Sequence, residues 1–338
     1  MAGLVDLRSD TVTRPTAEMR RAMATAEVGD DAYGEDPTVR ALEEAYAGLV
    51  GMPAAVYVPS GTMANQLALR VLSSPGRTVI AGRRQHVVAY ENGAAAPNAG
   101  VQIFTVDDTD GTLDPADVEW ALEAAEHHYP RPDLLCVENT HMPADGAPWP
   151  LDRLDAVVDA ARGLPVHMDG ARLFNAVVAT GVPAADYAER ATTVMSCLSK
   201  GLGAPVGSVL AGPSDVIEAA REERQRLGGG MRQAGVIAAA GLVGLRSHVD
   251  RLADDHARAA RLAAAVADRW RESGCDPARV RTNIVTFRHA HTHSLLDHLA
   301  SAGVLAGTIA PGVVRLVTHL DVDDAGIDRA VAALGDAP

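Results

Sequence analysis

Seven short apolar runs along residues 54–212 limit what this chain can fold into. They are "AAVYVP" at 54–59, "RTVIAG" at 77–82, "VQIFTV" at 101–106, "LLCVEN" at 134–139, "PVHMD" at 165–169, "TVMSCLS" at 193–199 and "GSVLAG" at 207–212. Most are rich in Val, Ile or Leu and end at polar residues or Gly, the pattern of strands buried on both faces. Helical patterns lie between several of them. Asp114-Pro115 opens "ADVEWALEAAEHH", with Pro in the first turn, where its missing N–H costs nothing. Asp152 stands near the start of "RLDAVVDAAR", and Gly163 follows its end. Strands alternating with helices predict an α/β fold, a mostly parallel sheet covered on both faces.

After Gly212 the pattern changes. Helical segments are predicted over 214–226 and 233–247, followed by the long "HVDRLADDHARAARLAAAVADRWRES". Then come a strand "NIVTFR", a helix "SLLDHLASAG", a strand "VVRLVTH" and a closing helix "DAGIDRAVAAL". The expected organisation is a large domain with an N-terminal arm over 1–247 and a smaller α+β domain over 248–338.

The charge narrows the partners. A formal net charge of −14 repels nucleic-acid phosphates and anionic membranes, so a small-molecule partner is expected. The three cysteines, Cys136, Cys197 and Cys275, show neither disulfide nor metal-ligand spacing, which suits a reducing cytoplasm. No signal peptide is visible, and "GVIAAAGLVGL" is too short and too Gly-rich to span a bilayer.

Of the 30 basic residues only Lys200 is lysine. Arginine can replace lysine wherever charge alone is needed, but not where a neutral amine must attack a carbonyl. A solitary lysine beyond a buried strand therefore points to a Schiff base, with Gly201 and Gly203 leaving room for a bulky group. Asp169 ends the "PVHMD" run, where a carboxylate needs a cation or strong donor. The protonated ring nitrogen of pyridoxal phosphate would supply one; pairing with Arg172 or capping a helix is the plainer account. Ser60, Gly61 and Thr62 form a polar turn between a strand and a helix, suited to a phosphate or simply to capping. His86 follows another strand, where an imidazole could lie over a cofactor ring or handle protons.

These residues belong to a longer series: "DLRSDTVTRPT", "VGDDAYGEDPTV", "SGTMAN", "ENTH", "DGARLFNAV", "CLSKGLGAPVGS", "GGGMRQAG" and "VRLVTHLD". In order and spacing the series resembles the L-threonine aldolase family, pyridoxal-phosphate lyases of the aspartate-aminotransferase fold (fold type I). The resemblance implies a Schiff base at Lys200, Asp169 facing the ring nitrogen, His86 stacked on the ring, and Gly61 and Thr62 on the phosphate. It implies that Ser9, Arg172 and Arg315 bind the substrate carboxylate, that His128 lines the side-chain pocket, and that Arg232 lies near cofactor and subunit interface. Tyr33 would stand at the site mouth, and Tyr90 is the aromatic four residues after the stacking histidine. Three departures stand out: Met142 where the family has Asn, Gln225 where it has Lys, with Arg224 or Arg226 to replace its charge, and the residues between His86 and Tyr90, which differ although the aromatic is kept.

The implied activity is cleavage of threonine, allo-threonine and other β-hydroxy-α-amino acids to glycine and an aldehyde. His86, His128 or a bound water is the candidate base. Alternatives are another amino-acid lyase, a racemase, or a non-catalytic binding protein on the same scaffold. A homo-oligomer is implied, at least a dimer and commonly a tetramer. No metal site is expected: His289, His291 and His293 in "RHAHTHS" would share a face only on a strand, and read better as a strand end entering a surface loop. Cys197 reads as strand packing, and the acids of "GDDAYGEDP" as a solvated loop or a site-mouth segment.

Overall fold

The structure is a computed structural model and describes residues 3–337. A two-residue strand, β1 (Val5–Asp6), comes first; the seven apolar runs then become β2 (Ala54–Val58), β3 (Thr78–Gly82), β4 (Gln102–Val106), β5 (Pro132–Glu138), β6 (Val166–Asp169), β7 (Thr193–Cys197) and β8 (Ser208–Gly212). They form one sheet in the order β2-β8-β7-β6-β5-β3-β4. Only β8 runs against its neighbours, β2 and β7. All other pairs are parallel. It follows that β2, β3, β5, β6 and β7 all end at the same edge of the sheet.

Both faces are covered, which is why the inner strands have no polar face. One face packs on the helices Pro37–Val50, Leu151–Ala160 and Gly235–Ser247 through Val39, Leu42, Leu154, Val157 and Ala238. The other packs on Gly61–Leu72 and Ser214–Arg226 through Ala64, Leu67, Ile217 and Ala220. Burying one such Val or Leu contributes about 1.5–3 kcal/mol, so the core rests on many aliphatic side chains.

A second core gathers Ala259, Leu262, Val266, Leu295, Leu299, Leu316 and Ile327, together with Val5 and Leu7 from the chain start. Its strands are β9 (Ile284–Arg288), β10 (Val304–Leu305), β11 (Gly307–Ala310) and β12 (Val313–Val317). β1 pairs in parallel with β10, and Val317 N–H donates to the Leu7 carbonyl at 2.8 Å. The first residues are thereby bound to the C-terminal part, which carries Ser9 and Asp10 toward β12. Leu252, at the head of the helix Leu252–Arg269, packs in the first core instead.

Two expectations need correction. The acids of "GDDAYGEDP" are not all solvated. Asp31 is buried on Arg224 at 2.7 Å, and Asp36 caps the helix Pro37–Val50 through Thr38 N–H and Val39 N–H, at 3.1 and 3.0 Å. Asp36 also accepts Gly235 N–H at 2.9 Å, and a Cβ on Gly235 would lie 2.4 Å from its carboxylate. Nor do Gly201 and Gly203 clear space for a ligand. A Cβ at Gly201 would meet Leu252 at 2.8 Å, and Gly203 sits at φ +78°, where other residues are strained.

Candidate active site

At the shared edge the strand ends bring their polar residues together. Asp169, the last residue of β6, is buried. Its Oδ1 accepts Ala171 N–H at 3.0 Å and its Oδ2 accepts Asn65 Nδ2–H at 2.7 Å. Among the described residues it pairs with no arginine, so of the two plainer accounts the Arg172 pairing is not what is found, while its bond to Ala171 N–H does cap the turn ahead of the helix Leu173–Thr180. Burial pushes its pKa up, but the charges of His86 and Lys200 and the Asn65 hydrogen bond outweigh that and hold the carboxyl below its ordinary value.

Lys200 follows β7 by three residues and is half-buried. Because β7 is the parallel neighbour of β6, Lys200 lies just beyond the same sheet edge at which Asp169 ends, and its charge bears on Asp10, His86 and Asp169. His86 opens a short helical turn after β3, held where its N–H donates to Glu138 Oε2 at 2.6 Å. Its Nδ1 lies 2.9 Å from Glu91 Oε1, and Tyr90 packs on its ring at 5.7 Å. Glu138 ends β5 beside Asp169; burial raises its pKa, partly offset by His141, whose Nε2 lies 2.9 Å from buried Asp108.

The helix Gly61–Leu72 starts at the same edge. Ser60 caps it by accepting Met63 N–H at 3.2 Å, leaving Gly61 and Thr62 at its positive end, where a phosphate is favoured. A Cβ on Gly61 would lie 2.8 Å from Cys197 Sγ, so glycine is required against β7, and Cys197 is buried there.

Arg172 is already bound on one edge. Its Nε and Nη2 each donate to Asp10, Oδ2 and Oδ1, at 2.8 and 2.7 Å, which leaves the opposite edge, the second Nη2–H and the two Nη1–H, for another anion. Arg315, on β12, gives one N–H to the Arg8 carbonyl at 2.9 Å. Its buried Nε finds no acceptor among the described residues. Burial and nearby Arg172 both lower its pKa, the situation of a guanidinium in want of an anion. Ser9, one residue before Asp10, accepts from Thr11 at 2.8 Å.

Three expected residues lie outside this cluster within one chain. His128 is exposed ahead of β5, at the opposite end of that strand from Glu138, so it cannot line this pocket from its own chain. Tyr33 is 78% exposed on a short turn. Arg232 is exposed and reaches Asp30 at 3.4 Å. Neither neighbour of Gln225 supplies a free charge: Arg224 is bound to Asp31 and the Tyr57 carbonyl, and Arg226 lies on the surface beside Glu222 and Glu223. Met142 is buried against Ile284 and Val317.

Residues missed by sequence reasoning are the supports: Glu91, Asn65, His167 and Asp10. His167 Nε2 lies 3.0 Å from Asn65 Oδ1 and its Nδ1 2.9 Å from Thr193, and burial holds its pKa down to about 4. Its signal was position, two residues before Asp169 on one strand and hence on the same face. His86, Glu91 and Asp169 also bring donor atoms within 4.8 Å of one another, close enough for a metal ion. Amide and imidazole groups already bonded to those oxygens satisfy them without one.

A lone amine and a buried acid at the C-terminal edge of an open α/β sheet, with an orphaned guanidinium N–H on β12 of the second sheet, mark the candidate active site of an enzyme for a small molecule. The chain belongs to the beta-eliminating lyase family, whose model matches residues 6–292. It is 42% identical to the low specificity L-threonine aldolase of Escherichia coli K12, over 94% of this chain and 95% of that one. It is also 42% identical to low-specificity L-threonine aldolase 1 of Arabidopsis thaliana, over 93% and 91%. The fold is similar to that of Leishmania major threonine aldolase, with a TM-score of 0.83 at 23% identity over 98% of both chains. It is also similar to that of Sphingomonas wittichii serine palmitoyltransferase, at 0.76 and 16% over 98% and 86%. Among the described residues no helix is long and apolar enough to cross a membrane.

Proposed function

We propose that this enzyme cleaves L-threonine, L-allo-threonine and related β-hydroxy-α-amino acids to glycine and an aldehyde, with pyridoxal 5'-phosphate as cofactor. The observation that carries the reading is that the chain's one lysine, just beyond β7, and buried Asp169, at the end of neighbouring β6, stand at one edge of the sheet, with the Arg315 Nε–H unpaired among the described residues. The residues fit the cofactor: Lys200 for its aldehyde, Asp169 for its ring nitrogen, Ser60, Gly61 and Thr62 for its phosphate, His86 for its ring face. When bound, it supplies an electron sink for the pair released as the Cα–Cβ bond breaks.

The protein's own part is to place and to protonate. Arg315 offers Nε–H to the substrate carboxylate, with Ser9 and the free Nη1 and Nη2 hydrogens of Arg172 beside it. That clamp fixes the Cα substituents, and positioning of this kind is worth several kcal/mol of barrier. Asp169, kept anionic, holds the proton of the ring nitrogen. The β-hydroxyl proton goes to His86 or to a bound water. Tyr90, packed on His86, stands beside the substrate side chain. Tyr33, Arg232 and His128 face outward, which supports a homo-oligomer, a dimer at minimum and a tetramer by resemblance, in which they serve neighbouring sites. A cytoplasmic location goes with this chemistry.

The family's description names β-elimination, so the products decide between the two reactions. Incubation with threonine should give glycine and acetaldehyde in equal amounts; 2-oxobutyrate in their place would overturn the aldolase reading. Borohydride reduction should fix the cofactor to Lys200 in the wild type and to nothing in Lys200→Ala.

A further inference from the structure

Behind the His86 imidazole lies a carboxylate that the reaction described above does not use. The Glu91 side chain has no solvent access, and its Oε1 stands 2.9 Å from His86 Nδ1. The same oxygen accepts Asn65 Nδ2–H at 2.8 Å, while Oε2 accepts Gln66 Nε2–H at 2.7 Å. Gln66 is fixed in turn, its Oε1 accepting Asn98 Nδ2–H at 3.2 Å. Amide donors on both oxygens leave the carboxylate little freedom to rotate, and its remaining acceptor capacity meets the ring nitrogen. A buried carboxylate so placed keeps the hydrogen on Nδ1 and leaves Nε2 as the ring atom able to exchange a proton.

We propose that Glu91 is a positioning residue: it holds His86 in the Nδ1–H form and sets the proton affinity of Nε2, the atom that would meet the substrate hydroxyl. The inference rests on the aldolase reading for its chemistry, but the pairing itself does not. The other groups facing His86 are Asp169 from the end of β6, Lys200 beyond β7, Glu138 from the end of β5, and Tyr90 from its own turn. Burial lowers the His86 pKa and Lys200 lowers it further, while Glu91 and Asp169 raise it, and the net direction is upward. Asp169 is engaged by Asn65 and Ala171, so the only one of these carboxylates hydrogen-bonded to the ring is Glu91.

The test is the titration of His86 itself, read in the full-length holoenzyme by the pH dependence of deuterium exchange at its ring C2, followed by mass spectrometry. Glu91→Gln should lower that titration by about one pH unit or more, and Glu91→Asp, which keeps the charge but draws it back, by less. In Glu91→Gln kcat should fall with little change in KM, and the acid limb of kcat/KM should move to lower pH. A purely structural Glu91 would leave the titration in place while lowering stability. If neither variant moves the His86 titration, the proposal is wrong, whatever the activity. If the titration moves but the wild type releases no glycine from threonine, the aldolase reading fails and the pairing stands.

Discussion

Arg172 and Asp10, far apart in the chain, meet in a two-pronged ion pair closed to solvent, at 2.8 and 2.7 Å. Burial would raise the Asp10 pKa, but the Arg172 charge and hydrogen bonds hold it well below the carboxylate range. Asp10→Asn leaves the buried guanidinium without its counter-charge, which costs about 3–5 kcal/mol. The expected result is a lower Tm and a higher KM for the amino acid, since Arg172 is no longer anchored. Because the folded pKa is depressed, this stabilisation is present above the ordinary carboxyl pKa and is lost as pH falls through the folded value. The Tm gap between variant and wild type should therefore narrow below about pH 4.

Gly61 sets how closely the phosphate-facing helix approaches β7. A Cβ there would stand 2.8 Å from Cys197 Sγ and 3.1 Å from Met195 Cε. Gly61→Ala should cost about 1–3 kcal/mol and weaken cofactor binding by displacing the helix start. Adding Cys197→Ala removes the nearest atom and should restore part of the affinity. Fluorescence titration with pyridoxal phosphate measures both, and equal affinity in the single and double variants would count against this account.

His167 gives the fold an acid-sensitive point. Its folded pKa is depressed to about 4 by burial, so below its ordinary value the unfolded chain takes up a proton that the native state refuses. Stability is thus intact above about pH 6.5 and declines toward pH 4, by about 2 kcal/mol at pH 5. Urea unfolding at pH 7 and pH 5 should show this loss, and His167→Gln should remove it.

The position of His128 predicts subunit complementation. It precedes a seven-residue strand whose far end carries Glu138, a separation of roughly 20 Å along the strand alone. If it serves a neighbouring copy, His128→Ala and Lys200→Ala chains should each be weak alone and regain activity on mixing, because a hybrid holds one site with both residues intact. No gain on mixing would leave His128 outside the chemistry.

The sheet was legible because burial on both faces is written locally, as runs of Val, Ile and Leu. The reversal of β8 was not, since direction is set by pairing with β2 and β7 and leaves no mark in "GSVLAG". β1 and β10 escaped because two residues carry no periodicity and their partners lie about three hundred positions apart. The helices Ala17–Ala24 and Pro37–Val50 precede the alternating pattern and were not read from it. At the site, Lys200, Asp169, His86 and Ser60 were legible because each closes or follows a strand. Glu91, Asn65 and Asp10 sit among ordinary helix and loop residues, and their purpose exists only where another segment arrives: Glu91 at His86, Asn65 at Asp169, Asp10 at Arg172. Charge in "GDDAYGEDP" suggested solvent, yet Asp31 and Asp36 are tied inward by Arg224 and Gly235.

With a single lysine in the chain, half-buried just beyond β7 at the edge of the sheet where Asp169 ends, amine-directed handling of the purified protein reaches only one side chain. Succinimidyl dyes, glutaraldehyde or aldehyde-activated resins would find no surface lysine to spend themselves on and, once inside, would consume the reactive centre. Attachment through surface carboxylates, which this acidic protein has in excess, is the route that leaves it working.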